Sequence, residues 1–130
     1  MSVFDEQPPL INHKELCQWL KNNYSFFKIK DVKLRSLNSE RDINFLIKGI
    51  NNKKYVVKIS NPKESFEQLM YQDVLIKHLR INKELRKIYP EICHKNILFF
   101  KDKKQRNCPV RVLTYIDGNM YAESKINSEV

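Results

Sequence analysis

The sequence predicts an α+β domain: one five-stranded antiparallel sheet, one principal helix between its third and fourth strands, and a further helix ahead of the sheet. Three observations predict it. Residues 43–48 and 55–60 alternate with period two, which places Ile43, Phe45 and Ile47 on one face against Asn44, Leu46 and Lys48, and Tyr55, Val57 and Ile59 against Val56, Lys58 and Ser60. Polar turns, Asn38 to Asp42 and Gly49 to Lys54, bound these runs. Apolar residues recur at helical spacing in only two stretches, 12–23 and 63–81.

Residues 1–11 carry Pro8-Pro9 and little periodicity, and form an irregular arm ahead of one domain over 12–130. Asn12 and Glu15 have capping-box spacing, and Leu16, Trp19 and Leu20 give the first helix one packing face, to about Asn23. Val32 to Leu37, Ile43 to Lys48 and Tyr55 to Ser60 are the first three strands. Asn61-Pro62 ends the third, and Pro62 suits the first turn of a helix over 63–81. Phe66, Leu69, Met70, Val74, Ile76 and Leu79 make its apolar stripe, and Gln72 falls inside that stripe. A buried amide without a partner costs about 1–3 kcal/mol. Gln72 therefore either meets a polar group, with Lys58 the nearest candidate, or sits half solvated at the edge. Asn82 to Arg86 continues or restarts a helix before Tyr89-Pro90. Lys95 to Lys101 is the fourth strand, and Pro109 precedes the fifth, Val110 to Ile116, which ends at Asp117-Gly118.

The 130 residues suffice for one small domain with its own core, not two. A 42% hydrophobic content with two glycines and five prolines excludes a low-complexity chain. The net charge of +9 suits a phosphate-bearing partner, nucleotide or nucleic acid, without choosing between them. Cys17, Cys93 and Cys108 are odd in number, widely spaced and without a metal-ligand pattern, so reduced thiols and no metal are expected. His13, His78 and His94 are isolated and receive no role. The N-terminus lacks the basic and apolar regions of a secretory signal, and the longest strongly apolar run, Ile97 to Phe100, is far short of the roughly 20 residues that span a membrane. A cytoplasmic, soluble protein without a membrane partner is the expectation.

Lys58 is the residue on which chemistry turns. A lysine two positions after a valine on one face of a strand can hold its ammonium over a ligand whose flat ring covers that valine, as in the V-A-I-K strand of kinases. A lysine ending a surface strand is otherwise simply solvated. Context favours the first reading: Leu37 to Phe45, Tyr55 to Pro62, Gln72, and Val110 to Gly118 together resemble the aminoglycoside phosphotransferase family, in particular its hydroxylysine-kinase-like branch, over about residues 30–123. The resemblance implies a protein-kinase-like amino-terminal lobe that binds ATP. In it the loop from Asn38, with Ser39 and Arg41, lies over the phosphates, although it has no glycine. Val56 covers the adenine, Lys58 holds the α- and β-phosphates, and Gln72 stands where distant relatives have a glutamate, with Glu67 a second candidate for that role. Thr114, Tyr115 and Ile116 form a hinge whose backbone pairs with the adenine edge. Asp117-Gly118 is either a tight turn or the start of a linker.

Family members continue into a helical lobe with the catalytic and magnesium-binding aspartates. Residues 119–130 contain no aspartate, and no H-x-D motif occurs in the chain. The expectation is an ATP-binding lobe that is not catalytic alone, with Mg²⁺ bound only where a second lobe, on another polypeptide or a second copy, completes the site. The alternatives are a non-catalytic nucleotide- or partner-binding module and, least favoured, a basic nucleic-acid-binding protein using Phe99 and Phe100 as platforms.

Overall fold

The computed structural model describes residues 7–38 and 41–116. The two alternating segments become the middle of the sheet: β2 (Ile43–Lys48) and β3 (Lys54–Ile59) pair antiparallel from Ile43↔Ile59 to Lys48↔Lys54. The turn between them places Asn51 and Asn52 at φ 60° and 61°, a left-handed conformation that asparagine tolerates. β1 (Arg35–Leu37) adds to β2, and β5 (Asn107–Thr114) and β4 (Leu98–Lys101) complete the order β1-β2-β3-β5-β4, antiparallel throughout. The α+β class, the five strands and the two helices are those the sequence predicts.

One sheet face holds the core. Phe45, Ile47, Tyr55, Val57, Ile59, Val110 and Val112 pack there against Leu16 and Leu20 of helix α1 (His13–Asn23), against Tyr24 that caps its end, and against Phe27 of the short 3-10 turn (Ser25–Phe27) that follows. Each such fully buried large side chain contributes about 1.5–3 kcal/mol. Asn12 caps α1, its Oδ1 accepting from the Glu15 N–H at 3.0 Å, as its spacing predicts.

Helix α2 (Phe66–Leu79) lies against the opposite face, where Ile76 packs with Leu113. It starts later than predicted. Asn61 folds the chain on itself, its carbonyl accepting from the Glu64 N–H and its Oδ1 from the Lys63 N–H, so Pro62 falls in this turn and Ser65 becomes the cap. Its buried residues are Leu69, Gln72, Asp73 and Ile76, while Phe66, Met70 and Val74 of the predicted stripe are exposed. Phe99, expected to pack in the core, is also exposed and stacks on Phe66 at 5.9 Å, whereas Phe100 on the other face is buried. Residues 85–87 form only a 3-10 turn.

β5 starts before Pro109 rather than after it. Pro109 is tolerated inside the strand because β3 stops at Ile59, so the missing N–H falls where that ladder ends, and its carbonyl still accepts from the Ser60 N–H at 2.9 Å. The arm is tied down at residues 7–10. The Asp102 carboxylate, in the β4–β5 turn, accepts from the N–H groups of Leu10, Lys104 and Arg106 and from the Arg106 guanidinium, which also reaches the carbonyls of Gln7 and Pro8.

Candidate functional site

Side chains directly opposite in an antiparallel register share a face. β3 therefore presents Val56 and Lys58 on the face that α2 partly covers, and Ser60 follows directly after the strand. Two cross-strand rows result: Leu46, Val56 and Leu113, then Asn44, Lys58 and Arg111. An apolar row thus lies beside a polar one.

Lys58 and Arg111 of the polar row are buried, and the row is unevenly satisfied. Lys58 is 4% exposed, and among the described residues it has no hydrogen-bond or ion-pair partner. Arg111, also buried, donates from Nε to Asp73 Oδ1 at 2.9 Å and from Nη1 to Gln72 Oε1 at 3.0 Å. Gln72 does meet a polar group, but it is Arg111 rather than Lys58, because the register sets the longer, forked side chain beneath α2. Glu67 is exposed and takes no part. Two cations thus stand opposite one another on adjacent strands, with Asp73 the carboxylate that neutralises one of them. Asn44 Oδ1 and Ser60 Oγ, on the same face, are buried without a hydrogen-bond partner.

The remaining predicted residues are less concentrated. Val56 is fully buried, so a ring can lie on it only after the groups above it move. The Thr114 N–H donates to the Glu91 carbonyl at 2.9 Å and its Oγ1 accepts from the Glu91 N–H at 2.9 Å, while the Tyr115 N–H donates to the Lys54 carbonyl at 3.0 Å. The backbone N–H groups of Thr114 and Tyr115, two of the three residues whose backbone is expected to meet the adenine edge, are thus engaged with residues 91 and 54 in this structure. Ile116 follows them, partly exposed, and Arg41 is exposed. Ser39, Asp117 and Gly118 lie outside the described residues.

Arg111, Asp73, Asn44 and Ser60 are the residues that sequence reasoning missed. One signal was present: Arg111 is the sole charge within Val110-Arg111-Val112-Leu113, and a charge in such a strand needs a buried partner.

The cysteines offer no competing nucleophile. Burial, reinforced by Glu91, pushes the Cys93 thiol up to about 11, and burial, reinforced by Asp102, does the same for Cys108; all three cysteines are free thiols. Among the described residues no His, Cys, Asp and Glu side chains are grouped to hold a metal ion, and no helix is long and apolar enough to cross a membrane. The arrangement suits an anion, which would neutralise the excess positive charge and accept the donors of Lys58. Comparisons with protein families, with curated proteins and with solved structures found no match.

Proposed function

We propose that this chain is the ATP-binding lobe of a small-molecule phosphotransferase, with Lys58 holding the phosphate chain. One observation carries the reading: Lys58, only 4% exposed and without a partner, beside a paired guanidinium leaves uncompensated positive charge on one sheet face. Leaving a charge so placed is expensive unless something anionic completes it. The strand order, with a helix inserted between the third and fourth strands and lying on the Lys58 face, supports the kinase-like resemblance.

In this reading Lys58 donates to α- and β-phosphate oxygens, and burial strengthens those contacts by excluding water. Val56 and Leu46 provide the apolar surface for the base, and the backbone near Ile116 its edge. ATP brings the transferable phosphoryl group. The carboxylates that orient an acceptor hydroxyl and hold Mg²⁺ come from a second lobe, since no H-x-D motif occurs within these residues. Entry requires the face to open, so the observed affinity is reduced by the fraction of molecules that are open.

Calorimetric titration of the chain with ATP, with and without Mg²⁺, tests this. Saturable binding that weakens at least tenfold in Lys58→Met is expected. Binding that this substitution leaves unchanged, or no binding to the folded protein, overturns the reading.

A second reading, a module that docks another protein, is favoured by the exposed Phe66, Met70 and Val74 together with Phe99. If it holds, Met70→Glu abolishes a complex formed by the chain while ATP fails to bind.

A further inference from the structure

Beyond the lysine, the same face carries two polar atoms that nothing in the fold uses. Ser60 is 1% exposed, and its Oγ has no partner although its backbone N–H is fixed to Pro109. Asn44 stands directly opposite Lys58, and its Oδ1 is likewise buried and unpartnered. Buried polar atoms are nearly always hydrogen-bonded, so two orphans beside an unpaired ammonium are informative.

Their chemistry differs and their order along the sheet is fixed. Same-face positions on a strand are roughly 7 Å apart. From the end of β3 beside Tyr115 toward Asn61, this face therefore presents an apolar position at Val56 and a cation at Lys58; one residue past the strand, where the Ser60 N–H still bonds to the Pro109 carbonyl, comes the Ser60 hydroxyl. Asn44 adds an acceptor in the Lys58 row. A phosphate oxygen is itself an acceptor and cannot satisfy Asn44 Oδ1, whereas a ligand hydroxyl can. Ser60 Oγ can donate to an anion lying beyond Lys58.

We infer that Asn44 and Ser60 make this face a ruler for a nucleoside triphosphate: Asn44 accepts a hydrogen bond from the sugar hydroxyls, and Ser60 donates to the terminal phosphate. The inference rests on the nucleotide reading and deepens it by naming the groups that distinguish ATP from ADP and from bare polyphosphate. A hydrogen bond to a charged group is worth enough to shift affinity about tenfold.

The test titrates the folded chain with ATP, ADP and inorganic tripolyphosphate. The wild-type chain is expected to bind ATP about tenfold more tightly than ADP. Ser60→Ala erases that preference by weakening ATP alone, and Ser60→Thr, which retains a hydroxyl, keeps it. Asn44→Leu weakens ATP and ADP alike and leaves tripolyphosphate unchanged. If Lys58→Met abolishes nucleotide binding while Ser60→Ala and Asn44→Leu keep the wild-type ATP-to-ADP ratio and affinities, the ruler is overturned and the lysine site stands. If the folded wild-type chain binds no nucleotide, both are overturned.

Discussion

At the scale of single residues, function and stability pull Lys58 in opposite directions. A lysine this little exposed and without a partner is a liability to the fold, and a methionine of similar length would fill its place without the charge. Lys58→Met is therefore expected to raise the unfolding free energy by about 1 kcal/mol while removing ATP binding. Urea denaturation of the two chains measures it. A marked loss of stability would mean that the lysine is satisfied within the fold and not reserved for a ligand.

Asp102 is the contrasting case, a buried carboxylate whose every contact is structural. Burial acts to raise its carboxyl, but the hydrogen bonds from the Arg106 guanidinium, the Arg106 N–H and the Leu10 N–H, with the Arg106 charge, outweigh burial and hold it below the ordinary carboxylate range. A carboxylate depressed in the folded state stabilises fully above its unfolded value near 3.8, and that contribution fades as pH falls through the lower folded value. Acid should thus loosen the arm before the sheet melts. Asp102→Asn should cost about 2–3 kcal/mol at neutral pH and flatten the acid limb, measured as stability against pH between 2 and 6. An unchanged acid limb in the variant would refute this role.

At the scale of elements, α2 is held down by a buried polar contact as much as by apolar packing. Arg111 bridges Asp73 and Gln72 with the ion-pair side chains 5% and 12% exposed, so removing Arg111 alone strands a carboxylate. Arg111→Leu should cost about 3 kcal/mol, and the double variant Arg111→Leu, Asp73→Leu less than the sum of the two single changes. A double-mutant cycle by chemical denaturation decides it, and strict additivity would show that the pair does not hold the helix.

α2 also marks where sequence reading reached its limit. The local signals were legible: the Asn12 cap, the alternation of β2 and β3, and the helix itself are all set by residues a few positions apart. So was the shared face of Val56, Lys58 and Ser60, which period two dictates. The facing of α2 was not, because Phe66, Met70 and Val74 outnumber its two buried polar residues, Gln72 and Asp73, while the helix is turned by Arg111, which lies 38 positions from Asp73. Without the β3–β5 register, Lys58 is the obvious partner for Gln72. The register brings Arg111 beside Lys58, and the guanidinium takes both acceptors.

At the scale of the whole molecule, a ligand that binds only the folded chain must stabilise it by mass action. ATP at a hundredfold its dissociation constant should add about 2.7 kcal/mol, which for a domain of this size raises Tm by about 10 °C. Lys58→Met should begin at a higher Tm than the wild type and stay there when ATP is added. That crossing of signs discriminates between explanations, because a generally weakened fold would lower the starting Tm and a polyanion gathered by the +9 charge would stabilise both chains alike. Diffuse attraction would also fade steeply with salt, whereas contacts made by a lysine this little exposed are screened far less. Thermal unfolding of both chains with ATP at low and at physiological ionic strength therefore separates a site from a field. Equal shifts in the two chains, lost together as salt rises, would assign the stabilisation to the basic surface and remove Lys58 from the account.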